Sequence, residues 1–323
     1  MTSIDRRAFL QVSAGAWFAA GLRPAAAAPV LSVVGTTGMI ADALRSVGGD
    51  RVAVQGLMGE GVDPHTYRQT RSDIAAMVKA DAVFRHGLYL EAQLEDFFAD
   101  FAQHRRLFTL AEAAVPAERL LAHDEYKDRF DPHVWMDPRM WSLVVRAAGD
   151  ALTELDPAGR EVHAANLART EQAIEAVAAY ADEVLASVPA ETRVLVTAHD
   201  AFNYFGRAYG YEVLGIQGIS TESEAGLATV ESFVDVLVNR GIRAIFVESS
   251  VSDRNVKALI EGAAARGHTV TIGGQIYSDA MGRPGTYEGT YVGMIDHNAT
   301  VIARALGGTA PAAGLNGRLG AVN

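Results

Sequence analysis

The 323-residue sequence contains no cysteine. Disulfides, thiolate metal sites, cysteine nucleophiles and a lipidated N-terminal cysteine are thereby excluded. Lys/Arg-rich runs are missing after the N-terminal segment, and the formal net charge is −11. Phosphate contacts need a basic footprint, so nucleic acid is not an expected partner. Beyond the N-terminus no apolar run approaches the ~18 residues that suggest a membrane-spanning helix. The mature protein is therefore expected to be soluble. Its 49% hydrophobic and 21% charged residues suit one large or two medium globular domains with ample core.

The N-terminus is the one stretch of different character. Asp5-Arg6-Arg7-Ala8-Phe9-Leu10 leads into an apolar segment to Leu22, broken by Gly15 and Gly21, and then into small residues between Pro24 and Pro29. A basic region, a short apolar region and a small-residue run form a secretory signal, and the adjacent arginines point to twin-arginine export. Residues 1–28 are expected to be this cleaved signal. With no cysteine behind it, the protein should be free in a periplasm and not lipid-anchored.

From residue 30 onward, short β-rich runs alternate with longer helical patterns. Strands are predicted at 30–35, 52–57, 82–86 and 107–110, with helices at 39–47, 72–79 and 91–103. The pattern returns with strands at 194–197, 212–216, 244–248 and 269–272, and helices at 202–209, 227–239 and 253–265. Such alternation argues for α/β architecture with parallel sheets. Between the two sets, 157–187 is rich in Ala, Glu and Leu and free of Pro and Gly after Gly159. Asp156 and Pro157 suit a cap and a first helical residue. About 30 residues at ~1.5 Å each span roughly 45 Å, long enough to link two lobes. The expected organisation is an α/β lobe at 29–156, a linking helix at 157–188, a second α/β lobe at 189–308 and a flexible tail at 309–323.

Four chemical groups stand out. Asp131-Pro132-His133-Val134-Trp135-Met136-Asp137-Pro138 places an imidazole in a stiff loop, because the prolines forbid regular helix through it. Gly61-Val62-Asp63-Pro64-His65-Thr66-Tyr67 repeats the motif. His199 follows an apolar strand, and Asp279 lies in Ile276-Tyr277-Ser278-Asp279-Ala280. Taken singly, each has an ordinary role as a capping, packing or turn residue. Ligands in open α/β sheets bind beyond the carboxyl ends of the strands, and all four can reach that rim. They read as one metal site in the cleft between the lobes. Three neutral imidazoles and a carboxylate suit Zn²⁺. A carboxylate using both oxygens would admit Mn²⁺. Four protein ligands leave no position for a catalytic water, and no His-Glu-x-x-His pattern occurs, so a metal-dependent hydrolase is a remote alternative.

These stretches, together with Thr197-Ala198-His199-Asp200-Ala201-Phe202-Asn203-Tyr204-Phe205, resemble the cluster A-I solute-binding proteins that feed zinc or manganese to ABC importers. Phe246-Val247-Glu248 and Gly218-Ile219-Ser220-Thr221-Glu222-Ser223-Glu224 share the likeness, which runs from about residue 30 to 306. The resemblance implies His65, His133, His199 and Asp279 as ligands of one ion per chain, and two lobes joined by one long rigid helix. It implies a binding protein and not an enzyme. The implied partner is a membrane permease, with a metal-delivering chaperone as a further candidate. No organic ligand is implied, and the chain should be monomeric. Manganese members usually carry Glu where this chain has His199, which favours zinc. Manganese is the alternative, because the His- and acid-rich loop of many zinc members is reduced here to His123, Asp124, Glu125 and Asp128. His86 and Glu248, each ending a strand on the rim, are candidates for orienting a ligand. His104, His163, His268 and His297 receive no role, and Trp135 and Trp141 are read as packing around the His133 loop.

Overall fold

The alternating pattern folds as parallel βα units in the computed structural model, which describes residues 30–122 and 129–320. The first half runs β1 (Leu31–Gly35), α1 (Gly38–Gly48), β2 (Val52–Gly56), α2 (Arg71–Lys79), β3 (Ala82–Arg85), α3 (Glu95–Phe101), β4 (Leu107–Thr109) and α4 (Leu110–Ala114). Its four strands form one parallel sheet in the order β2-β1-β3-β4. Helix α5 (Pro138–Leu155) follows, then α6 (Arg160–Ala186). The second half comprises β5 (Val194–His199), α7 (Asn203–Tyr209), β6 (Glu212–Gln217), α8 (Leu227–Arg240), β7 (Ala244–Glu248), α9 (Arg254–Ala265), β8 (Thr271–Ile276) and α10 (Tyr291–Ala305). Strands β5-β6 and β7-β8 form parallel pairs, and β5 lies against β7.

Local chemistry fixes the helix starts. Thr70 and Asp73 form a reciprocal capping box on α2. The Asp137 side chain accepts from Arg139 N in front of Pro138, so α5 begins immediately after the stiff His133 loop. Asp156 caps a single 3₁₀ turn, Pro157–Gly159, and only then does the 27-residue α6 begin. At ~1.5 Å per residue this helix is about 40 Å long. It packs against α1, α5 and α10. Near its start Arg51 grips Asp156 at 2.6 and 2.8 Å, and near its end Tyr211 OH donates to Leu185 O at 2.9 Å. Helix α6 is therefore tied to both halves. The main apolar core also draws on both, from Val33 and Met39 through Trp141 and Val177 to Phe246 and Met294.

Several expectations need correction. The helix read at 91–103 is irregular at first: a 3₁₀ turn, Ala92–Leu94, precedes α3. Glu91 is turned inward, where its carboxylate accepts from Thr36 Oγ1, His86 N and Gly87 N. The strand read at 269–272 is instead β8, Thr271–Ile276. Gly273 and Gly274 lie inside it, where they serve close packing. A Cβ on Gly273 would lie 2.9 Å from Phe246, and one on Gly274 would lie 2.5 Å from Val301 of α10. Helix α10 itself was not anticipated. The tail expected to be flexible makes contacts as far as Leu319. Leu315 N donates to Asp296 at 3.0 Å, Thr309 N donates to Ser187 Oγ at 2.7 Å, and Leu319 is buried.

Candidate metal centre

His65 sits in the loop after β2, His133 immediately before a 3₁₀ turn (Val134–Met136), His199 at the last residue of β5, and Asp279 just past β8. All four are buried, with at most 2% exposure. The Nε2 atoms of His65 and His133 stand 3.3 Å apart. Asp279 Oδ1 lies 3.4 Å from His133 Nε2, while Oδ2 lies 3.1 Å from His199 Nε2 and 3.8 Å from His65 Nε2. One ligand atom from each of the four lies within 4.8 Å of those of the other three. Donors at 2.0–2.1 Å from a tetrahedral ion would be separated by roughly 3.3–3.4 Å, close to these spacings. His199 Nε2 and both Asp279 oxygens lack hydrogen-bond partners among the described residues. Buried polar atoms are rarely left so, which makes a shared cation the fitting occupant.

Carboxylates behind the imidazoles turn Nε2 toward the cluster. Asp131 Oδ1 accepts from His133 N at 2.9 Å and faces His133 Nδ1 at 2.7 Å. Glu248 accepts from His199 N at 2.8 Å and pairs with His199 Nδ1 at 2.5 Å. Each therefore fixes a proton on Nδ1 and leaves Nε2 as the atom an ion can take. Asp131 is steadied in turn: Asn203 Nδ2 donates to its Oδ2 at 3.1 Å and Tyr204 OH to its carbonyl at 2.8 Å. His65 differs, since its Nδ1 has no partner among the described residues and Asp63 holds only its backbone N, at 2.9 Å. Asp63 also accepts from Thr221 Oγ1 of the other half at 2.6 Å, and Gln93 reaches Glu222 across the same gap.

The electrostatics follow from burial and these pairings. Burial pushes His65 down to about 3, so it is neutral. Burial opposes charge on His133 too, but Asp131 and Asp279 raise its pKa to about 9. His199 is likewise buried, and Asp279 and Glu248 hold it well above its ordinary value. Asp279, despite its burial, is held well below the carboxylate range by His199 and His133.

The four residues singled out in sequence thus meet at one point. Glu248 touches His199 directly. His86 does not reach the cluster: its Nε2 donates to the Pro132 carbonyl at 2.7 Å, bracing the loop one residue before His133. His123 and the segment 1–28 lie outside the described residues. Asp63 and Asp131 were quoted in sequence without a role. Their signal was there, because an Asp two residues before each His accepts that residue's backbone N–H in the manner of an Asx turn. Asn203, Tyr204 and Trp135 carried no such signal. No helix among the described residues is long and apolar enough to cross a membrane.

Comparison with known proteins is consistent along nearly the whole chain. Residues 33–305 match the family described as zinc-uptake complex component A, periplasmic. The manganese-binding lipoprotein MntA of Bacillus subtilis is 43% identical over 276 residues, covering 85% of this chain and 90% of the relative. The zinc-binding protein TroA of Treponema pallidum is 43% identical over 286 residues, covering 88% and 92%. The solved structure of periplasmic TroA superposes with a TM-score of 0.83, covering 86% of this chain and 99% of that one.

Proposed function

The chain belongs to the zinc-uptake complex component A family of ABC-transporter solute-binding proteins, and from that premise we propose that it is a periplasmic carrier of one divalent ion, with Zn²⁺ as its preferred cargo. The family consists of binding components and not of enzymes. One observation carries the reading: four buried ligand atoms from distant parts of the chain converge within 4.8 Å of one another. His65, His133, His199 and Asp279 are the proposed ligands. Three imidazoles favour Zn²⁺ by softness. Manganese is the second reading, supported by the two Asp279 oxygens that both face imidazoles without a hydrogen bond. The relatives' names include both metals. In this proposal residues 29–156 and 189–308 act as two lobes about the linking segment 157–188. Residues 1–28 direct twin-arginine export, and the monomeric protein passes its ion to a membrane permease.

The test is metal content by mass spectrometry after stripping and exposure to equimolar Zn²⁺ and Mn²⁺, beside His199→Glu. Zinc in about one site per chain, with the variant shifted toward manganese, is the expected result. Equal loading of the unaltered protein would move the proposal to the manganese reading. Binding of neither ion would overturn it.

A further inference from the structure

Trp135 is fully buried, two residues after His133. Its ring meets His133 and His86 edge to face, with centroids 5.1 Å away in both cases. Its Nε1–H donates to the carbonyl of Ser278 at 2.9 Å, 143 residues further along the chain and one residue before Asp279. Behind the ring, Tyr291 OH donates to Trp135 O at 2.7 Å, and Asp42 accepts from Tyr291 N at 2.9 Å. A single rigid side chain therefore registers the His133 segment against the Asp279 segment.

The Asp279 carboxylate receives no hydrogen bond of its own among the described residues. Its aim is set through the backbone on either side of it. Trp135 clamps the Ser278 carbonyl, and Ser249 Oγ donates to the Ala280 carbonyl at 2.7 Å. Ser250 Oγ adds a contact to Ser278 Oγ at 3.0 Å. Held this way, the carboxylate turns one oxygen toward His133 and the other toward His199. That orientation offers five donor atoms where a swung carboxylate would offer four. Zn²⁺ is satisfied by four, whereas Mn²⁺ favours more oxygen donors.

We propose that the Trp135 indole N–H is a positioning group for metal preference. By fixing the Ser278 carbonyl it keeps both Asp279 oxygens on the cluster, and so supports Mn²⁺ binding beside the preferred Zn²⁺. The inference rests on the reading of the four residues as a metal site. Removing the donor lets the Asp279 segment relax to one-oxygen binding, which weakens Mn²⁺ far more than Zn²⁺.

Two replacements test it. Trp135→Phe removes the N–H along with part of the ring. Benzothienylalanine at position 135 removes the N–H but keeps the bicyclic shape, and it carries the test if the phenylalanine variant does not fold. Affinities for Zn²⁺ and Mn²⁺ are measured by chelator competition, and Co²⁺ is used as a visible probe of coordination number. Mn²⁺ affinity is expected to fall about tenfold or more while Zn²⁺ changes by less than about threefold, within the range of outer-layer effects on metal sites. The Co²⁺ absorption should strengthen as five donors become four. Equal weakening of both ions would show a merely structural role and overturn the proposal, as would no change in either. Failure of the unaltered protein to bind any of the three ions would instead sink the metal-site reading beneath it.

Discussion

Replacing Glu248 by Gln changes almost no volume but exchanges one acceptor for a donor. Glu248 now receives two N–H groups from His199, the backbone N at 2.8 Å and Nδ1 at 2.5 Å. Glutamine offers one oxygen and one NH₂ to that pair. In the ion-free variant, with the Glu248 charge that helps hold the His199 proton removed, the neutral imidazole can leave Nδ1 bare to accept from the NH₂ while the backbone N–H donates to the oxygen. That choice moves the imidazole proton to Nε2, the atom facing Asp279. An arriving ion needs Nε2 bare, so it forces the opposite arrangement, in which the NH₂ confronts the backbone N–H. A buried donor left unpaired costs about 1–3 kcal/mol. At 1.4 kcal/mol per factor of ten, Zn²⁺ affinity should fall roughly 5- to 150-fold. The assay is competition with a chromophoric chelator at fixed pH, with thermal melting of the ion-free variant as a folding control. A folded variant whose affinity stays within about threefold would refute the tautomer argument, because loss of such partners normally costs 10–100-fold.

Three further predictions concern pH and packing. With His133 raised to about 9 and His199 well above its ordinary 6.5, both imidazoles carry protons at neutral pH until an ion displaces them. Binding should release about two protons and tighten as pH rises, and a calorimetric heat independent of buffer protonation enthalpy would contradict this. For the ion-free protein, the stability contributed by His133 is present below 6.5 and lost as pH climbs through about 9, and that contributed by His199 is likewise lost as pH rises above its ordinary value. His65 and His86, pushed down to about 3 by burial, lower stability as pH falls from 6.5 toward 3. Its melting temperature should therefore peak near pH 6.5, and a monotonic profile would be inconsistent with these assignments. Gly293→Ala would normally favour helix α10, but the added Cβ would lie 1.8 Å from the Tyr287 carbonyl oxygen. Overlap with backbone should cost about 1–3 kcal/mol, read as a lowered melting temperature, and an unchanged one would refute the packing argument.

Much of this protein is legible in its residues because the relevant signals are local. Strand–helix alternation, the Asp156–Pro157 start of the long helical segment and the paired Asp-Pro-His motifs all act over a few positions. A loop that holds a histidine through Asp131 carries its ligand and its brace within three residues. Other features depend on distant segments meeting, and a backbone carbonyl looks the same at every position of a sequence. Nothing local to Trp135 marks Ser278 as its acceptor, nor does His86 announce the Pro132 carbonyl. Glu248 becomes the partner of His199 only because β7 lies beside β5. Gly273 and Gly274 find their reason only in Phe246 and in α10, which pack against them. The sequence determined which groups could hold an ion. Tertiary structure decided which nitrogen each imidazole presents and how the carboxylate is aimed, since both depend on hydrogen bonds between segments far apart in the chain.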